Sequence, residues 1–224
     1  MVDVVVPPGF LRLRVMSIRF EAEDVRSIEL QAPDRAVLPR FDAGAHIDIM
    51  LPDGGERSYS LLNAPSDDRR YVIGVKREPE SRGGSAFLCG SVRCGDILSV
   101  KPPENSFPLV EQAPCSVFIA GGIGVTPILG MLRRLDALGQ PWRLFYAARS
   151  RASAAFLDEI LILAGGVEGR VVLRLGDEGD AGFTMASVLE DLPDGAHLYC
   201  CGPSRMLHAF EEATAALPPE RVHR

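Results

Sequence analysis

A small antiparallel β-barrel followed by an open parallel α/β sheet is the fold class this sequence predicts, and a change of periodicity in mid-chain predicts it. Up to about residue 101, apolar and polar residues alternate in the manner of half-buried strands. From Val117 onward, short all-apolar runs alternate with helical patterns, as expected of strands buried on both faces and crossed over by helices. A third observation is the stretch Cys115 to Leu132, in which an apolar strand, a glycine-rich turn and an apolar helix follow one another.

The barrel strands are expected around Leu11-Leu13-Val15, from Ala45 to Leu51, through Arg57 to Leu61, from Tyr71 to Val75 and from Asp96 to Lys101. Turn clusters at Pro33-Asp34, Pro52-Asp53-Gly54-Gly55 and Ser66-Asp67-Asp68 separate them. Six or so strands of this length close as a small barrel, here assigned to residues 1–105. Pro102-Pro103-Glu104-Asn105 to Pro108 has the composition of a linker. Residues 106–224 form the α/β domain, with strands at 117–120, 142–148, 170–175 and 196–200 and helices at 127–138, 154–164, 184–190 and 204–216.

Composition narrows the function classes. The 224 residues, 46% hydrophobic, suit one large or two modest domains. No apolar run approaches the ~18 residues of a membrane span, and the N-terminus lacks the layout of a signal peptide, so no membrane and a cytoplasmic location are expected. The net charge of −6 argues against a nucleic-acid binder. The five cysteines are irregularly spaced, as reduced thiols are, and the four histidines show no ligand spacing, so no metal is expected. Cys89 and Cys94 mimic half of an iron–sulfur motif whose C-x2-C half is missing.

Three stretches carry chemistry. In the first, Val117 to Ala120 form the strand, Gly121, Gly122, Ile123 and Gly124 the turn, with Thr126 as helix N-cap and Pro127 at the first helical position. Such a turn aims backbone N–H groups and a positive helix end at an anion, which suits a pyrophosphate. It departs from the G-x-G-x-x-G fingerprint, because Pro127 stands for the third glycine and the second strand ends in Arg149, followed by Arg151, where the fingerprint wants an acid. In the second stretch, Arg57-Ser58-Tyr59-Ser60, an arginine, an aromatic ring and a hydroxyl are expected on one side of a strand, offering a flat anionic cofactor a clamp, a stacking surface and a hydrogen bond. The third runs from Val75-Lys76-Arg77 to Arg82-Gly83-Gly84-Ser85, a basic glycine-rich loop entering a short helix. Asp177-Glu178-Gly179-Asp180 reads as a solvated charge run, and of the adjacent Cys200 and Cys201 only one can face a ligand crevice from a strand.

Arg57-x-Tyr59-Ser60, the turn from Gly121 to Pro127 and the late Cys201-Gly202-Pro203 stand in the order typical of the ferredoxin–NAD(P) reductase superfamily, which the chain resembles over nearly its whole length. Arg82-Gly83-Gly84-Ser85 is most similar to the phthalate dioxygenase reductase and vanillate demethylase reductase branch, which carries FMN; FAD-binding relatives usually have glycine where Arg82 stands. The resemblance implies a flavin-binding barrel and a nucleotide-binding domain. Arg57, Ser58, Tyr59 and Ser60 would hold the flavin, with Ser60 near N5. Val75 and Lys76 would contribute backbone contacts, Arg82 to Ser85 would cradle the phosphate, and Thr126 would reach the flavin. NADH would lie over Gly121, Gly122, Ile123 and Gly124, served also by Arg149, Gly202, Pro203 and Met206, with Cys201 at the nicotinamide. FAD and NADPH are the alternatives.

Relatives in this branch continue into a C-terminal [2Fe–2S] domain, whereas this sequence stops at Val222-His223-Arg224. The cluster is therefore expected in a missing domain or a separate partner. The implied activity is an NADH-dependent flavin reductase feeding a Rieske-type oxygenase that acts on an aromatic compound. The rivals are a free flavin or ferric reductase and a nucleotide-sensing electron-transfer subunit.

Overall fold

In the computed structural model, which describes residues 8–79, 83–177 and 183–224, period-two patterning produces the first six strands. They are β1 (Leu11–Ala22), β2 (Val25–Gln31), β3 (His46–Met50), β4 (Glu56–Ser60), β5 (Tyr71–Lys76) and β6 (Ile97–Val100). The sheet order is β4-β3-β6-β1-β2-β5 with antiparallel pairing. The chain just after β4 joins β5 through a bridge between Leu61 and Ile73 and a 2.8 Å bond from the Leu62 N–H to the Val72 carbonyl. This seam joins the two outer strands and closes the sheet into a barrel.

One strand serves two neighbours. Leu11 to Arg14 pair with β6, and from Arg14 onward β1 pairs with β2, with a register shift between Val15 and Ser17. Such a bulge bends the strand around the barrel. Inward residues such as Leu30, Ile47, Ile49 and Ile73 are fully buried, and helix α1 (Gly84–Gly90) adds Leu88 to their core. Tyr71 is buried edge-on to Phe41, and its hydroxyl donates to the Pro39 carbonyl at 2.6 Å. The expected linker is partly a strand extension. Lys101 N–H donates to Asp48, His46 and Glu104 exchange both backbone bonds, and Asn105 Nδ2 donates to the Ala43 carbonyl at 3.1 Å. The prolines lack donors, but Lys101 and Glu104 supply them to a β3 edge that needs partners.

The chain divides into two units, Met1–Pro108 and Leu109–Arg224. The second contains β7 (Ser116–Gly121), α2 (Val125–Leu138), β8 (Trp142–Ala148), α3 (Leu157–Ala164), β9 (Val171–Leu175), α4 (Met185–Glu190), β10 (His197–Cys201), α5 (Ser204–Thr214) and β11 (Val222–His223). All its pairings are parallel, in the order β11-β10-β7-β8-β9. The chain moves outward from β7 through β8 to β9 and then crosses back to β10. The strand order therefore reverses between β7 and β10, and ligands of such sheets bind beyond the carboxyl ends of the strands at this point.

Helix α2 starts at Val125, two residues before the expected position, because Gly122–Gly124 already wind as a 3-10 turn that merges into it. Thr126 is thus inside the helix and not its N-cap; its hydroxyl donates to the Ile123 carbonyl at 2.8 Å. Helix α3 begins at Leu157, later than the expected 154, because Ser150 and Ser153 close a local turn and Phe156 takes a left-handed φ of 60°. β11 was outside the expected elements. It adds to β10 through Leu198–Val222 and Tyr199–His223, with His223 stacked on Tyr199 at 4.4 Å and its Nε2 2.9 Å from His197 Nδ1. Arg221 Nε donates to the Ala196 carbonyl at 2.8 Å, and Arg224 pairs with Glu211.

Burial lowers the pKa of both histidines; nearby Arg221 adds to this at His197, and His197 itself adds to it at His223. The unfolded chain, with histidine near about 6.5, therefore binds protons more readily than the folded one. The stability this pair contributes is present above about pH 6.5 and is lost as pH falls through the folded pKa values. Amide protection factors at Val222 and His223 are expected to drop between about pH 7 and pH 5, and to lose most of that pH dependence in His197→Asn. In the barrel, Ile47→Ala is expected to cost about 2–5 kcal/mol in denaturant unfolding, as large-to-small changes at fully buried sites do.

Candidate functional site

In the first unit the pleat sorts the residues of β4. Arg57 and Tyr59 share one side: Tyr59, like Phe87 and Cys89, packs on the barrel core, and Arg57 lies against the first turn of α1. Ser58 is on the other side, donating to Asp48 at 2.6 Å, and Ser60 shares its parity. The expected grouping of arginine, ring and hydroxyl on one face therefore holds for Arg57 and Tyr59 alone, because successive strand residues point to opposite faces. Burial raises the Tyr59 pKa, with Cys89 adding to the effect, so the phenol is neutral at physiological pH.

No side chain caps the start of α1. A Cβ on Gly84 would stand 2.7 Å from Arg57 Cγ, so the missing side chain lets the arginine stem lie on the helix. Gly83 has a φ of 101° with open space in front of it, and no acidic residue occupies the first turn. The Ser85 hydroxyl accepts the Glu78 N–H at 3.1 Å, while Lys76 Nζ is 2.9 Å from the Glu78 carboxylate. Val75 is in the core, available only through its backbone. Arg82 lies outside the described residues, as does most of the 177–180 acidic loop. Asp48 and Glu78, which hold Ser58 and Lys76, were not singled out from sequence. The two-residue spacing of Lys76 and Glu78 was a usable signal, whereas the Asp48–Ser58 pairing needs the strand register.

In the second unit the carboxyl ends of β7 and β10 press together. A Cβ on Gly124 would sit 2.3 Å from the Cys201 carbonyl oxygen, and one on Gly121 would sit 2.6 Å from Pro203 Cδ. Met206 fills the remaining space, its sulfur 2.8 Å from where a Cβ on Gly202 would stand. Gly121, Gly124 and Gly202 thus serve backbone packing, whereas Gly122, with a φ of 54° and nothing within 4 Å of a Cβ, faces open space. No side chain caps α2 and no acid sits in its first turn, so its N–H groups and dipole suit a phosphate that approaches across Gly122.

Cys200 is fully buried, and its thiol is pushed up to about 12 by burial. Cys201, half-buried on the opposite face, is also raised by burial and stays a neutral thiol. Arg149 is exposed just beyond β8. All five cysteines are free, and among the described residues no cluster of three or more His, Cys, Asp or Glu side chains is placed to hold a metal ion. Among the same residues, no helix is long and apolar enough to cross a membrane.

Residues 118–212 match the oxidoreductase NAD-binding domain family. The chain is 54% identical over 211 residues to the phenoxybenzoate dioxygenase subunit beta of Ectopseudomonas oleovorans, which covers 94% of this chain and 65% of that protein. It is 39% identical over 216 residues to the phthalate dioxygenase reductase of Burkholderia cepacia, covering 96% of this chain and 67% of the relative. The chain belongs to the phthalate dioxygenase reductase branch of the ferredoxin–NAD(P) reductase superfamily. A solved phthalate dioxygenase reductase, described as a modular structure for electron transfer from pyridine nucleotides to [2Fe–2S], shares the fold with a TM-score of 0.88 at 39% identity, covering 96% of this chain and 67% of that one. The chain spans about two thirds of the length of these relatives.

The glycines give this geometry a direct test. Gly124→Ala forces backbone against backbone and is expected to cost about 1–3 kcal/mol or more, with loss of nucleotide binding. Gly122→Ala meets only the left-handed backbone penalty of about 1 kcal/mol. Thermal melts of the two variants, followed with and without NAD, are expected to separate them in that order.

Proposed function

We propose that this chain is an NADH-dependent flavoprotein reductase that passes electrons through FMN to a [2Fe–2S] acceptor serving a Rieske-type aromatic oxygenase or demethylase. The observation that carries the proposal is the crossover point between β7 and β10, where an uncapped 14-residue helix and the Cys201-Gly202-Pro203 turn meet through glycine backbones. Family membership supplies the flavin expectation, and the relatives' names supply the oxygenase.

Bound flavin would supply a hydride acceptor that can release electrons singly. The residues of this chain bind and orient. The N–H groups around Gly122 and the start of α2 hold the nucleotide pyrophosphate. Neutral Cys201 lies against the nicotinamide without competing as a nucleophile. The family resemblance assigns neutral Tyr59 to the flavin ring, and it alone assigns Ser60, which the pleat turns to the other side of β4, to N5. Arg57 and the Gly83-Gly84 backbone hold a terminal phosphate, together with Arg82. This set serves one terminal phosphate, which favours FMN over FAD. Hydride transfer to a bound flavin would need no proton relay, so no residue of this chain is assigned as a general acid or base.

Flavin released from purified protein is expected to be FMN by mass; stoichiometric FAD would overturn that assignment. Cys201→Ala is expected to slow flavin reduction roughly 10- to 100-fold in stopped flow while the flavin spectrum stays intact, since small misplacements of reacting groups cost about that much. An unchanged rate would leave this thiol a packing residue. The chain is expected to reduce ferricyanide with NADH readily, and cytochrome c only when a [2Fe–2S] protein is added.

A further inference from the structure

The two edges of the parallel sheet are built differently. β11 is two residues long, and bonds from Arg221, His223 and Arg224 to Ala196, His197 and Glu211 hold it to its neighbours. Short edges of that kind keep a sheet from recruiting further strands. β9 has five residues, Val171-Val172-Leu173-Arg174-Leu175, with no proline, no lysine and a regular register against β8. Leu144 N–H donates to the Arg170 carbonyl and Gly176 N–H to the Ala148 carbonyl, so Arg170, Val172 and Arg174 turn their backbone groups toward β8. Val171, Leu173 and Leu175 turn theirs outward, and among the described residues no strand lies beyond β9.

The flank beside that edge is apolar. Val171 and Leu173 pair with Leu144 and Tyr146, whose hydroxyl reaches Ala155 just ahead of α3, whereas Val172 joins the core on the other face of the sheet. On α3, Leu157, Ile160 and Ala164 are buried, and Glu159 is paired with Arg133 of α2, which marks the side that faces α2. Leu161 lies about 200° round the helix from Glu159, on the flank that overlooks the outer edge of β9. It is 43% exposed, its neighbour Ile162 is 78% exposed, and Val167, in the turn leading to β9, is 54% exposed. Three large apolar side chains thus stand in water next to a row of outward-facing backbone groups.

We propose that β9 is an interface for a second copy of this chain, which adds its own β9 antiparallel across a two-fold axis and so continues the sheet from one copy into the other. A row of outward N–H and C=O groups is satisfied by an extended strand. An axis through Leu173, perpendicular to the sheet, sets Leu173 against its counterpart and Val171 against Leu175 of the second copy, so that each outward-facing residue meets another. The same rotation brings the two α3 helices side by side with their Leu161 flanks turned to each other, and one symmetry operation covers both features. Charge selects the register. An axis through Val172 would oppose Arg170 to Arg174 of the second copy, whereas the axis through Leu173 opposes Val172 to Arg174. One strand and one helix flank per copy make a small contact, which gives a transient, concentration-dependent dimer.

Sedimentation velocity of the purified full chain over a concentration series tests this, together with residue-resolved amide exchange. The sedimentation coefficient is expected to rise with concentration toward that of a dimer. The Val171 and Leu173 amides are expected to exchange freely in dilute chain and to slow roughly tenfold or more in concentrated chain, while those of Val172 and Arg174, bonded to β8, stay protected in both. Leu161→Glu places a charge on the flank, and Leu173→Pro removes an N–H that β8 does not use; each is expected to weaken self-association at least about tenfold. Leu161→Glu leaves every backbone bond in place and carries the test if the proline disturbs β9. A chain that stays monomeric throughout, or whose self-association survives the substitutions, overturns the proposal. Slow exchange of Val171 and Leu173 in dilute monomer overturns it too, by showing that the chain covers this edge itself.

Discussion

The approach of Gly124 to the Cys201 carbonyl is the contact on which the second unit's chemistry depends. Two crossovers that leave the sheet in opposite directions must bring their first turns together, and a single methyl group at this point would hold them apart. Because they meet, the 3-10 turn runs into α2 without a side-chain cap, and its N–H groups remain for an anion. The same approach fixes Cys201 at the carboxyl end of β10, while Cys200, one residue earlier, is committed to the core with Ile119 and Phe210.

Much of this was legible in sequence because the strongest signals are periodic. β7, β8, β9 and β10 fall within a residue of their expected limits, since all-apolar runs bounded by turn residues leave little choice. Departures cluster where local hydrogen bonds compete with propensity. Thr126 has the chemistry of an N-cap, yet a glycine turn that is already helical places it inside α2. The serine pair delays α3 by supplying its own turn. β11 was illegible because two residues carry no periodicity, and its pairing rests on a histidine contact between positions far apart in the chain.

The candidate site divides along the same line. Motifs nominate residues for chemistry, but which way those residues point could not be read from them. Ser58 and Ser60 fall on the far side of β4 from Arg57 and Tyr59 because the pleat overrides proximity in sequence. Lys76, expected to serve through its backbone, has its ammonium beside Glu78. Charge partners two residues apart, or across a ladder, determine how much of a motif's charge is available to a ligand.

The barrel's seam adds a coupling between ligand and fold. β4 and β5 stand at opposite ends of the strand order and are stitched by the Leu61–Ile73 bridge and the bond from Leu62 to Val72. Most of the described barrel residues assigned to the flavin lie on these two strands and at the start of the short helix that packs against β5. Asn63 adds to the same seam, accepting the Val72 N–H and donating to the Arg70 carbonyl, and a ligand that touches both of its banks works as a zip. Occupancy then adds to the free energy of keeping the barrel shut in proportion to the logarithm of ligand concentration over its dissociation constant. Binding of the flavin and mechanical closure of the barrel become two readings of a single equilibrium.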